Sequence, residues 1–148
     1  MPKKVTIQVN GREHRGEAFN CRGAFQEVDG SRVYKGEFDS HTKLPHGYGV
    51  WEADGSTGSA LWVEGENHGH ELVRLAKGDV SYSLWDRDHA VHTAIEYTSG
   101  SIEFDWKPCD ADDARFAELK RAALAVEVAP TPPPRTPHAE QSVRLWQR

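Results

Sequence analysis

The sequence predicts a mainly β fold: a single-layer ribbon of antiparallel hairpins over residues 1–107, a capping helix over 108–128 and a proline-rich flexible tail over 129–148. Three observations predict it. Turn glycines recur at a near-constant spacing, small residues alternate with large rings after each of them, and one amphipathic segment runs into a cluster of prolines.

The turn glycines are Gly11, Gly30, Gly55, Gly78 and Gly100, separated by 19, 25, 23 and 22 residues. Asn10-Gly11, Asp29-Gly30 and Asp54-Gly55 are strong two-residue hairpin signals, because such a turn needs positive φ at both central positions. Lys77-Gly78 and Ser99-Gly100 continue the series.

After each turn a strand is readable. Gly58, Ala60 and Trp62 alternate onto one face, as do Tyr34, Gly36 and Phe38 one copy earlier, His14, Gly16 and Ala18 in the first copy, and Ser81, Ser83 and Trp85 in the fourth. A residue without Cβ lets a ring from a neighbouring hairpin lie on the backbone, which is how a single sheet builds a core. Ala24, Phe25 and Val28, and then Val50, Trp51 and Ala53, supply the strands that enter the turns. Ile102, Phe104 and Trp106 alternate with Glu103 and Asp105, which predicts one last strand with a wet face.

Tyr34 to Phe38 (YKGEF), His46 to Gly49 (HGYG), Asp54 to Ser56 (DGS) and the pattern W..G..HG from Trp62 to Gly69 resemble membrane occupation and recognition nexus (MORN) repeats, with the best match in residues 29–69. The resemblance implies an elongated, curved ribbon of hairpins that serves as a platform for other proteins and, in some accounts of the family, for phospholipid. It brings no catalytic residue. It also implies that His46 and His68 occupy the family's HG positions, where the imidazole has a structural job in the turn.

Composition narrows the function classes. Residues 1–107 carry 12 Lys and Arg against 17 Asp and Glu, a net of −5, whereas 108–148 balance at six against six. An acidic ribbon is a poor match to phosphate backbones and anionic lipid heads, which argues against nucleic acid and disfavours a membrane surface despite Arg12, Arg15 and Arg22 near the start. No run of about 18 apolar residues is present, and the charged start at Lys3 and Lys4 is unlike a secretory core. A soluble cytoplasmic protein is therefore expected, with Cys21 and Cys109 as reduced thiols.

Asp110, Asp112 and Asp113 precede ARFAELKRAALAVEV, the one clear helix, with Lys120 and Arg121 further along and Pro130 as its stop. Phe116, Leu119, Ala123 and Val126 form its apolar stripe, which fits a cap on the open sheet or, alternatively, a partner-binding helix. The APTPPPRTP run favours an extended linker; Pro130, Pro133 and Arg135 have the spacing of a proline-rich ligand, and Val143, Leu145 and Trp146 end the chain as a candidate fold-back or docking segment.

The leading functional expectation is a non-catalytic protein–protein interaction scaffold that binds a protein partner through Tyr34, Phe38, Trp51, Trp62 and Trp85, residues that serve equally as sheet core. No cofactor is implied. The alternative is a small enzyme or metal-binding protein built on His68, His70, His89 and His92, since histidines at i, i+2 on a strand share a face and a neighbouring hairpin can supply a third ligand. Glu64, Glu66 and Glu71 are the nearby carboxylates available to orient an imidazole. Weak phospholipid recruitment is a third class.

Overall fold

The computed structural model describes residues 2–28 and 30–127. Asp29 of the expected Asp29-Gly30 turn, Val128 at the expected helix end and the proline-rich tail at 129–148 lie outside the described residues.

Eleven strands follow one another in a single antiparallel sheet whose spatial order is their chain order. They are β1 (Lys3–Val9), β2 (Arg12–Phe19), β3 (Arg22–Glu27), β4 (Arg32–Phe38), β5 (Pro45–Ala53), β6 (Ser56–Val63), β7 (Glu66–Arg74), β8 (Val80–Asp86), β9 (His89–Glu96), β10 (Ile102–Phe104) and β11 (Lys107–Cys109). One helix, α1 (Ala114–Glu127), completes the fold. The five periodic glycines all fall in the connections that follow odd-numbered strands, so they line one edge of the ribbon. At Asn10-Gly11 and Asp54-Gly55 both central residues have positive φ (52° and 76°, 52° and 81°), the geometry that a two-residue turn requires.

The ribbon ends later than residue 107. Asp105 and Trp106, with φ of 50° and 69°, form a tight turn instead of prolonging the strand, and Lys107–Cys109 return as β11. Trp106 is consequently 70% exposed, whereas Ile102 and Phe104 are buried.

The pairing register defines two faces. Val5, Gly16, Phe25, Tyr34, Trp51, Gly58, Val73, Ser81, Ile95 and Glu103 form one continuous row across ten strands. On the same face, here called the inner face, the next row reads Ala18, Gly23, Gly36, Gly49, Ala60 and Glu71. Rings of the first row lie over the small residues of the second. A Cβ on Gly49 would sit 2.4 Å from Tyr34 Cε1, and one on Gly23 would sit 2.7 Å from Phe25 Cζ. The expected stacking of rings on glycine is therefore present, although at Gly36 the crowding comes first from the backbone of Gly49 and Tyr48, at 2.5 Å.

The first five strands curl so far that Gln8 N–H donates to Lys43 O at 2.9 Å, in the loop between β4 and β5. The inner face thereby closes on a core of Ile7, Val9, Phe25, Tyr34, Phe38 and Trp62. Phe25 meets Phe38 edge-on at 5.3 Å, and Tyr34 meets Trp62 edge-on at 5.8 Å.

The second core lies on the opposite face. Leu72, Tyr82, Ala94, Ile102 and Phe104 from β7 to β10 receive the stripe of α1, in which Phe116, Leu119, Ala123 and Val126 are buried. The helix thus covers this face of the sheet. Arg115 stacks over Phe104 at 4.8 Å near its start, and Glu127 at its end accepts both Arg74 Nε (2.6 Å) and Nη2 (2.7 Å). No helix among the described residues is long and apolar enough to cross a membrane.

Asp113 is the N-cap, its Oδ1 accepting Arg115 N–H at 2.8 Å. Hydrogen bonds from the Arg115 side chain and then its backbone hold the Asp113 carboxyl down at about 2. A depressed carboxyl pKa contributes stability that is complete above about pH 4 and is lost as pH falls towards the folded value. Asp113→Asn keeps an acceptor without the charge, so its melting midpoint is expected to fall less than the wild type's between pH 4 and pH 2 in thermal circular dichroism. Equal falls would contradict this account of the cap.

Candidate functional site: a tryptophan-lined groove

A groove of about 450 Å³ opens on the inner face between the β1–β2 turn and strands β4 to β8. Its walls include Val9, His14, Arg32, Trp51, Trp62 and Trp85, and Glu71 is among its lining residues. The sequence builds it from period-two placement: Trp51 on β5 pairs with Gly58 on β6, so nothing on β6 stops the indole from lying across that strand. A Cβ on Gly58 would come within 2.2 Å of Trp51 Cε2 and Nε1.

The indole thus bridges β6 and reaches Glu71 on β7. Trp51 Nε1–H donates to Glu71 Oε2 at 3.0 Å, and Trp85 Nε1–H, from β8, donates to Oε1 at 2.9 Å. Glu71 is 4% exposed. Burial pushes its pKa up, and the two indole hydrogen bonds pull it part of the way back. Arg32 on the wall is engaged by Glu27, 3.7 Å away, which also accepts from Arg12 at 3.0 Å. His14 is buried, and its Nδ1 donates to Arg12 O at 3.0 Å, which fixes the ring with Nε2 bare when neutral.

The five aromatic candidates separate into two groups. Tyr34, Phe38 and Trp62 are at most 2% exposed and belong to the inner core. Trp51 and Trp85 are half-buried and line the groove. Tyr34 is held further by its hydroxyl, which donates to Glu37 O at 2.5 Å.

The histidines do not converge. His46 Nδ1 accepts Glu64 N–H at 3.0 Å, and one repeat later His68 Nδ1 accepts Arg87 N–H at 3.3 Å. Each imidazole ties its own strand to the next turn on the edge opposite the five periodic glycines, which gives the ring a structural role. Both His-Gly pairs lie in stretches where the register shifts, four residues of β5 or β7 spanning two of the preceding strand. His70 and His92 flank Leu84 in the same row, so their strands stand two spacings apart, roughly 9–10 Å. Burial lowers the pKa of His70, His92 Nδ1 pairs with Asp105 Oδ2 at 2.9 Å, and His89 is exposed at the start of β9. Among the described residues no three His, Cys, Asp or Glu side chains are grouped to hold a metal ion. Glu64 and Glu66 face Arg87, at 3.9 and 3.1 Å, rather than a histidine.

Sequence reasoning placed Glu71 among carboxylates near histidines and missed its position beneath two tryptophans. The available signal was the phase of Trp51 with Gly58 and of Glu71 with Ser83. Compared with known proteins, the chain matches no family model and no curated protein.

Proposed function

We propose that the chain is a MORN-like, non-catalytic interaction module that holds a protein partner in the tryptophan-lined groove of its inner face. The observation that carries this reading is the division of labour among the rings: Tyr34, Phe38 and Trp62 are buried in the core, where only Trp62 reaches the groove, and half-buried Trp51 and Trp85 leave indole surface for a partner. Large, preorganised aromatics in a concave site are the usual anchors of binding energy. Cys21 and Cys109, unpaired in the fold, fit a reducing compartment such as the cytoplasm.

Affinity capture with the immobilised full chain tests the proposal. A protein retained by the wild type and by Trp106→Ala, which alters an exposed tip, is expected to lose at least about tenfold in affinity for Trp85→Ala. Circular dichroism melts establish that both variants remain folded. Undiminished retention by Trp85→Ala would place the partner elsewhere and overturn the groove reading.

A further inference from the structure

Glu71 is a buried carboxyl group with no positively charged partner among the described residues. Its oxygens accept from Trp51 and Trp85, both neutral donors, and its environment consists of burial and those two hydrogen bonds. Among the described residues no Lys, Arg or His lies within ion-pair distance of it, and Arg32, which also lines the groove, is engaged by Glu27. Indole N–H groups only donate, so the two bonds favour the carboxylate against the burial that raises its pKa. Buried charges are ordinarily paired; here the protein supplies the hydrogen bonds and leaves the countercharge out.

The surroundings select what completes the site. The Trp51 indole packs against the backbone at Gly58 and lines the groove. An aromatic face above a carboxylate attracts a cation by its quadrupole as well as by the charge. Two further polar groups stand at the groove. Trp62, 1% exposed, lines the groove with its Nε1–H unpartnered among the described residues, and so does the Oδ1 of Asn67, its cross-strand neighbour.

We propose that the groove receives a lysine or arginine side chain of the partner protein, its charged end set against Glu71 between Trp51 and Trp85. This rests on the reading of the groove as the partner site and specifies the chemistry of what enters it. An acidic or purely apolar segment leaves Glu71 uncompensated and is selected against.

The test uses the full chain, labelled with ¹⁵N, and follows the indole Nε1–H signals of Trp51 and Trp85. The probes are N-acetyl-lysine methylamide, N-acetyl-arginine methylamide and the neutral N-acetyl-norleucine methylamide, each at millimolar concentration. Saturable shifts of both indoles are expected with the two cations, with the norleucine probe at least about tenfold weaker. Glu71→Gln, verified as folded by its melt, is expected to abolish that preference. A norleucine probe that binds as well as the cations overturns the cation assignment while leaving the groove as a binding site. The absence of shifts from every probe also overturns the cation assignment, and the capture assay with Trp85→Ala then decides separately whether a partner uses the groove.

Discussion

Gly49→Ala is expected to destabilise the protein by about 3 kcal/mol, a fall in melting midpoint of roughly 10 °C for a domain of this size. The added methyl would stand 2.3 Å from the Tyr34 hydroxyl oxygen and 2.4–2.5 Å from Cε1 and Cζ of the same ring. Tyr34 has nowhere to withdraw. It is fully buried, its hydroxyl is tied to Glu37 O, and its ring is stacked near Phe25 at 6.4 Å and set edge-on to Trp62 at 5.8 Å. Gly11→Ala is the matched comparison: a Cβ there meets nothing within 4 Å, but φ is +76°. Only the left-handed backbone penalty of about 1–2 kcal/mol then applies. The two glycines serve different physical ends, one as a turn and the other as a seat for a ring. A double-mutant cycle with Tyr34→Ala separates them, because the Gly49 penalty should largely vanish once the ring is gone and the Gly11 penalty should not. Additive costs at Gly49 and Tyr34 would mean that the ring is not what fills the glycine's space.

Both kinds of glycine were readable before any coordinates, and the reason is that each leaves a mark in the chain itself. Gly11 and Gly55 follow residues that tolerate positive φ, and Gly58 shares its phase with Ala60 and Trp62, whereas Gly36, between Tyr34 and Phe38, is crowded first by the backbone of Gly49 and Tyr48. The opposite edge left a weaker mark, with Gly65 (φ 85°) in the β6–β7 turn as its turn glycine. Its turns at Asn20-Cys21, Arg87-Asp88 and Asp105-Trp106 contain no glycine, yet Asn20, Arg87, Asp88, Asp105 and Trp106 all have positive φ. Local preference would not select Trp106 for φ of 69°; the pairing of Phe104 with Lys107 and of Ile102 with Cys109 imposes it. For the same reason Trp106 reads in sequence as the next residue of an alternating strand. The groove was half legible. Trp51 and Trp85 stand out in the sequence and line the groove, but the group that joins them is 20 residues from one and 14 from the other, and it meets them only through register. A one-residue slip on β7 would have turned Glu71 to the helix side. The histidines, by contrast, are conspicuous in composition and scattered in space, because the HG positions put an imidazole against each successive turn and Leu84 stands between His70 and His92.

The second large effect is expected at the helix. Phe116→Ala should cost about 3–5 kcal/mol, the usual range for emptying a fully buried phenylalanine site. Phe116 is 2% exposed and meets the edge of Tyr82 at 6.0 Å, with Leu119 and Ala123 continuing the contact along the stripe. Tyr82 cannot move in to fill the space without surrendering its hydrogen bond to Glu96 at 2.7 Å, a carboxylate that also receives Lys120 at 3.0 Å. Where the loss is felt matters more than its size. The inner core is built from β1 to β6, and the helix-side core from β7 to β10 with α1, so the two halves bury their apolar groups on opposite faces of one sheet. In a linear repeat each hairpin is supported mainly by its neighbours. Amide hydrogen exchange in Phe116→Ala should therefore accelerate in β8, β9 and β10 while β2, β3 and β4 keep most of their protection. Equal acceleration in all strands would mean that the sheet unfolds as one unit, with the backbone ladder through β6 and β7 coupling the faces tightly enough to override the separation of their cores.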